Sequence, residues 1–421
     1  MSKSTVAVDL KILAGRAARA ARSLALAETS VKNLALATLA KALRSRAREL
    51  LAASERDLAE AKRANGPLHI LDRLLLTESR LADLIESVTR VQALLDPVGL
   101  TEDEKILPNG LQVCRLRIPL GLIAFICEAR PSATVEAGAL AIKSGNGLLI
   151  KAGKEMAEVS ALLAEIFAAA LTTVGLDSAA VTLLPSVTHD DLKELLTLVE
   201  SIDLVIPRGG EKLIRFVSEN SRIPVLKHFK GVCHLYVDKG ADLGMAEELA
   251  INGKTNRPST CNSLEALLVH QSEAATFLPP LGLRLELLGV RLKVDPAAAA
   301  FLPNAEPAGL EDWGCEFLNL TLAVKVVPDY AAALDHIARY GSNHTEVIAT
   351  RNPGRAEHFL RTVEAGCVMV NASSRLNDGG CLGLGAEIGI STTRLQAYGP
   401  MGLRELTTTR FIVTGQGHLR T

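Results

Sequence analysis

The spacing of apolar residues divides the chain into regions of different character. From Val8 to about Asn65, leucines and alanines recur at helical intervals (Leu34, Leu36, Leu39, Leu43, Leu50, Leu51), with no proline, among strong helix formers. This pattern predicts two helices. Glu78–Leu95 predicts another, with Thr77 placed as its N-cap. At Pro108-Asn109-Gly110 the pattern switches, and Leu111–Ile118 alternates apolar with polar, as a half-buried strand does. That strand is either one arm of a protruding hairpin or the edge of a sheet.

Leu122–Cys127 is a continuous apolar run, suited to a strand buried on both faces. Strand-like and helical stretches then alternate. The strands are Leu148–Ile150, Val181–Leu184, Leu204–Ile206 and Val232–Val237. The helices are Val135–Lys143, Glu155–Leu171, Asp190–Leu198 and Glu211–Ser218. Such alternation predicts a parallel α/β sheet covered on both faces. Helix Ala241–Ala250 and strand Ala266–His270 follow, and the alternation resumes as strand Leu322–Val327, helix Tyr330–Tyr340, strand Val347–Thr350, helix Ala356–Val363 and strand Cys367–Asn371, which predict a second α/β domain. The tail from Leu406 to Thr421 is strand-like around Phe411–Val413 and is placed to cross to a neighbouring subunit.

Length supports more than one core, since 421 residues exceed what a single one serves. Aromatics are only 3% of the chain, so its cores rest on Leu, Ala, Val and Ile. Lys and Arg total 46 against 47 Asp and Glu, a balance that argues against nucleic acid as a partner. No apolar run approaches the ~18 residues that span a bilayer. The Ala-rich basic stretch Arg16–Arg22 runs on as an amphipathic helix, which favours mature structure over a transit peptide. Seven cysteines without a C-x-x-C pair point to free thiols in a reducing, cytoplasmic compartment. No metal-ligand spacing is visible.

Between helix Ala241–Ala250 and strand Ala266–His270 lies Asn252-Gly-Lys-Thr-Asn-Arg-Pro-Ser-Thr-Cys-Asn-Ser263, a polar, turn-rich loop of the kind that carries catalytic groups. Cys261 is its one thiol and the candidate nucleophile, with Lys254 and Arg257 as cations placed to favour the thiolate. Asn262 and the backbone N–H of Cys261 either bind a developing oxyanion or serve a turn. Arg130 follows the buried strand directly, where an α/β fold places ligands, and either grips a phosphate or carboxylate or forms a surface salt bridge. Gly209 and Gly210 stand between a strand and helix Glu211–Ser218, so that helix's N-terminus either meets a diphosphate or simply begins a helix. In Asn371-Ala-Ser-Ser-Arg375, the hydroxyls of Ser373 and Ser374 and the Arg375 guanidinium suit an anionic substrate, if the loop is not merely structural.

The cysteine loop, Glu128-Ala-Arg-Pro131, Ile142-Lys-Ser-Gly-Asn146, Val370–Arg375, Gly383-Leu-Gly-Ala-Glu387 and Gly399-Pro-Met-Gly402 occur in one order along the chain. Together they resemble the gamma-glutamyl phosphate reductases of the aldehyde dehydrogenase superfamily. The resemblance implies an aldehyde dehydrogenase-like α/β fold. A Rossmann-like NADPH domain (residues 1–104 and 120–232) would join a catalytic α/β domain (233–395) and an oligomerisation hairpin and tail (105–119 and 396–421). It implies NADPH-dependent reduction of L-glutamyl 5-phosphate to glutamate 5-semialdehyde, through a thioester on Cys261, in proline synthesis. It further implies that Arg130 and Arg257 meet the substrate, that Lys151 and Lys154 meet the adenosine ribose and its 2′-phosphate, and that Glu316 holds the nicotinamide ribose. A homodimer or homotetramer and a glutamate kinase are the expected protein partners, with no membrane association. General aldehyde dehydrogenases carry a glutamate base that hydrolyses their thioester; His228 stands in its place here, so the thioester is expected to await reduction. The alternatives are aldehyde oxidation with NAD(P) on the same fold, and a non-catalytic assembly protein.

Overall fold

The computed structural model describes residues 9–185 and 188–420. Residues 1–8, where the first helical pattern and first domain begin, and Thr421, which ends the tail, lie outside the described residues. The chain forms two compact units. One runs to Lys227 and adds Leu384–Gly389 and the residues from Met401 on; the other comprises His228–Gly383 and Ile390–Pro400.

The first unit opens with three helices, Leu10–Leu24, Thr29–Ser45 and Ala47–Arg63, where the periodicity predicts two. Neither break carries a glycine or proline; the second is the single residue Arg46, at φ −101° and ψ 19°. Packing sets the breaks: two helices over this span would each run roughly 40 Å, longer than a small domain is wide. The three shorter helices instead meet different neighbours. Leu10–Leu24 lies on strand Gly147–Lys151, Thr29–Ser45 on helix Glu78–Ala93, and Ala47–Arg63 on helix Ala157–Thr173. Thr77 caps Glu78–Ala93 as expected, its Oγ1 accepting the Arg80 N–H at 3.2 Å.

Four parallel strands lie in the order Val181–Leu183, Gly147–Lys151, Leu122–Cys127, Leu204–Arg208. All six residues of Leu122–Cys127 are buried, as the unbroken apolar run predicts. The chain lays down three strands in one direction, then returns to the far side of the first. That reversal is a topological switch point, beside the carboxyl ends of Leu122–Cys127 and Leu204–Arg208. Helix Ala157–Thr173 with its 3₁₀ lead-in, Lys154–Thr173, is long and apolar enough to cross a bilayer, at mean hydropathy 1.5, contrary to the reading that no run approaches that length. Here it is a core helix. Leu163, Ile166, Phe167 and Leu171 are buried, while Glu158 pairs with Arg56 (3.0 Å) and Glu165 with Arg46 (2.8 Å).

A separate antiparallel sheet joins Thr101–Ile106, Gln112–Pro119 and the tail strand Thr407–Thr414. Gly110, at φ +85°, turns the hairpin, a conformation glycine adopts without strain. Phe411 and Val413 on the tail strand are exposed.

The second unit holds a seven-stranded parallel sheet in the order Glu306–Pro307, Arg291–Val294, Thr321–Val327, Leu264–His270, Cys233–Val237, Thr345–Ala349, Cys367–Val370. Its core includes Leu235, Leu267, Phe277, Leu278, Leu281 and Leu285. The last four stand on Gln271–Leu287, a helix that continues through Pro279 and Pro280.

Candidate active site

The polar stretch around Cys261 splits between two elements. Helix Leu243–Thr255 is capped by Asp242, whose carboxylate accepts the Met245 N–H, and it absorbs Asn252–Thr255. The loop proper is Asn256–Ser263, and strand Leu264–His270 follows. Two turns shape it: Thr260 N–H donates to Arg257 O (3.2 Å) and Ser263 N–H to Thr260 O (3.0 Å). Cys261 is half-buried at the tip.

Asn262 is 4% exposed and ties this loop to the one that ends strand Cys367–Val370. Its Oδ1 accepts from Thr260 Oγ1 (2.9 Å) and from Arg375 Nη1, and its Nδ2 donates to Asn377 O (2.9 Å). The side-chain amide is therefore spent on the scaffold. The backbone N–H of Cys261 has no acceptor among the described residues. Arg375 also donates from Nε to Asn256 Oδ1 (3.3 Å) and has no carboxylate partner within ion-pair distance among the described residues. Burial lowers its pKa below the ordinary arginine value, the Cys261 sulfur raises it, and Arg257 lowers it again. The Arg375 guanidinium thus feels both the nucleophile and a second, exposed guanidinium. Ser373 Oγ donates to Asn252 Oδ1 (2.7 Å) and accepts from Arg375 N–H (3.3 Å). Ser374 Oγ is buried with no hydrogen-bond partner among the described residues.

Behind the cysteine the backbone is wedged. A Cβ on Gly231 would lie 1.8 Å from Cys261 O and 2.8 Å from its Cα, so only glycine lets the strand entry approach this closely. Cys233 Sγ donates to that same carbonyl at 3.2 Å. Gly231 N–H donates to Glu316 Oε1 (2.9 Å), which brings Glu316 next to the backbone that backs Cys261. His228 is 9% exposed, its ring edge-on to His344 at 5.6 Å. Lys254 does not face the thiol. Both it and Glu265 are fully buried, paired at 2.6 Å, because the extended helix turns Lys254 inward over strand Leu264–His270. Burial pushes the Glu265 carboxyl up to about 7 and holds the Lys254 ammonium below its ordinary value.

In the first unit, Arg130 forms the N-cap of helix Pro131–Ser144, and Gly209-Gly210 precede helix Glu211–Asn220. Both follow the two strands that flank the switch point. Lys151 ends the adjacent strand Gly147–Lys151, and Lys154 is exposed three residues on. Glu128 also stands here: its Oε2 accepts the Gly210 N–H at 3.0 Å, and Arg73 lies 4.0 Å away. The sequence shows Glu128 inside the Glu128-Ala-Arg-Pro131 motif without giving it a role, and it does not mark Gly231. Asn377 it does not single out, since a backbone carbonyl that anchors an asparagine leaves no mark in the sequence.

The aldehyde dehydrogenase family model matches residues 4–300. The chain belongs to the aldehyde dehydrogenase family. Among the members of that family it is 50% identical over 412 residues to the gamma-glutamyl phosphate reductase of Meiothermus ruber, covering 98% of this chain and 99% of the relative. It is 48% identical over 421 residues to that of Desulfatibacillum aliphaticivorans, covering all of both chains. The crystal structure of the Thermotoga maritima gamma-glutamyl phosphate reductase superposes with TM-score 0.95 at 39% identity, over 98% of this chain and 100% of that one. An acetylating aldehyde dehydrogenase from Geobacillus thermoglucosidasius shares the fold at TM-score 0.69 and 16% identity.

Proposed function

We propose that this chain is an oxidoreductase that reduces L-glutamyl 5-phosphate to L-glutamate 5-semialdehyde with NADPH and releases phosphate, in proline biosynthesis. The observation that carries the reading is the pair of guanidiniums beside Cys261. Arg375 donates to Asn262, the neighbour of Cys261, and to Asn256; Arg257 stands in the same loop, and neither has a carboxylate ion-pair partner among the described residues. A substrate with a carboxylate and an acyl phosphate supplies the missing negative charge.

Cys261 Sγ attacks the acyl carbon. The backbone N–H of Cys261 steadies the oxyanion, and the C–O bond to phosphate breaks with its electron pair on phosphate. Ser374 Oγ and Ser373 Oγ complete the substrate loop with Arg375. Asn262 holds that loop against the cysteine. NADPH, when bound, supplies the hydride that reduces the thioester. The C–S bond then breaks, which frees the aldehyde and restores the thiolate. His228 is buried against His344, away from bulk water, which supports a thioester kept from hydrolysis.

NADPH fits the first unit on three observations. Gly209-Gly210 sit at the switch point, Lys151 and Lys154 leave the next strand, and the N-terminus of helix Glu211–Asn220 favours negative charge. Glu316 is the residue assigned to the nicotinamide ribose. By function, residues 1–104 and 120–232 bind cofactor, 233–395 carry catalysis, and 105–119 with 396–421 serve assembly into a homodimer or homotetramer. Seven free cysteines support work in the reducing cytoplasm. A glutamate kinase, source of the acyl phosphate, is the proposed partner enzyme.

The test is the reverse reaction. Glutamate 5-semialdehyde should reduce NADP+ only when inorganic phosphate is present; reduction at the same rate without phosphate, with glutamate as product, overturns the proposal.

A further inference from the structure

The helix terminus assigned to the cofactor's diphosphate already carries an anion belonging to the chain. Glu128 leaves the end of strand Leu122–Cys127, and Gly210 leaves the end of the neighbouring strand Leu204–Arg208. Across the switch point, Glu128 Oε2 accepts the Gly210 N–H at 3.0 Å, at the N-cap of the ten-residue helix Glu211–Asn220. The backbone is shaped around this carboxylate. A Cβ on Gly209 would meet Glu128 Cδ at 2.6 Å and Cγ at 2.9 Å. Its side chain keeps 33% of its exposure, and the same Oε2 lies 4.0 Å from Arg73 Nη1, whose side chain keeps 16%.

A carboxylate and a phosphate want the same thing from a helix N-terminus: an N–H donor and the positive end of the dipole. They cannot share one N–H, and at contact distance they repel. We infer that Glu128 is a built-in competitor for the cofactor's diphosphate, which must swing from the Gly210 N–H toward Arg73 for the dinucleotide to seat. This rests on the NADPH reading above and adds to it a residue that sets cofactor affinity and release. Competition makes the bound cofactor leave faster, which suits an enzyme that exchanges NADPH for NADP+ at each turnover.

Glu128→Gln keeps the side chain's shape and its hydrogen bond to Gly210 but removes the charge. NADPH binding to the purified protein, followed by nicotinamide fluorescence, should tighten about tenfold in E128Q, with the gain in a slower off-rate by stopped flow, as a fraction of the ~2 kcal/mol span of dipole effects allows. Adenosine 2′-monophosphate, which lacks the diphosphate, should bind both proteins equally. Glu128→Ala should behave like E128Q toward NADPH. Unchanged or weaker NADPH binding in E128Q overturns the inference, as does an equal change for both ligands. A wild-type protein that binds no NADPH instead overturns the cofactor reading itself.

Discussion

Cys261 is positioned less by its own side chain than by what backs it. Gly231 brings the entry of strand Cys233–Val237 within van der Waals contact of the Cys261 backbone. Gly231→Ala should therefore push the Cys261 backbone, and the sulfur with it, out of place. The expected loss is about 100-fold in kcat, typical of a nucleophile displaced by an ångström; a kcat within a few-fold of wild type would contradict this. Lys254 illustrates a limit of reading by neighbourhood. Its place in a polar stretch suggests a cation for the thiolate, but helix Leu243–Thr255 runs to Thr255 and turns it onto Glu265. Lys254→Met should cost about 3–5 kcal/mol, because it strands a buried carboxyl. The sign with pH follows from burial, which raises the Glu265 pKa from its ordinary 4.5 to about 7. A raised carboxyl favours the fold while protonated, so the variant's stability should fall from pH 5 to pH 8; urea melts that show it flat or rising would contradict this.

At the scale of elements, two loops act as one because Asn262 joins them. Arg375→Ala should lower kcat/KM for glutamyl phosphate by roughly 10- to 100-fold, the worth of one charged hydrogen bond or more. Arg375→Lys should recover little, since a lysine lacks the planar fork that meets both an anion and Asn262. An Arg375→Lys variant with wild-type kinetics would show that charge alone suffices. Strands and helices of the alternating regions were legible from the apolar pattern, as the unbroken run Leu122–Cys127 and the helix Tyr330–Tyr340 show. Residues 271–321 were not, and Gln271–Leu287 explains why. Pro279-Pro280 reads as a stop, but burial of Phe277, Leu278, Leu281 and Leu285 outweighs the two lost N–H donors. Cys261, Arg375 and the serines were visible as polar residues at strand ends. Gly231 and Glu128 were not, because their roles exist only once distant strands lie side by side.

For the whole molecule, the tail strand Thr407–Thr414 pairs along its full length with Gln112–Pro119 and presents Phe411 and Val413 to solvent. A chain ending at Leu406 would lose that strand and, with it, the exposed Phe411 and Val413 of the surface proposed for assembly. Sedimentation velocity should then show a smaller particle than the full chain; an unchanged particle would assign assembly to another surface. The same architecture divides the chemistry, with the nucleophile and two arginines in one compact unit and the lysine pair, Arg130 and Glu128 in the other. The most direct test of the account is the rate of phosphate-dependent NADP+ reduction by glutamate 5-semialdehyde in folded Cys261→Ser. The prediction is a loss of at least about 1,000-fold, as expected when a covalent nucleophile is removed. A rate within a few-fold of wild type would contradict the claim that the reaction passes through this sulfur.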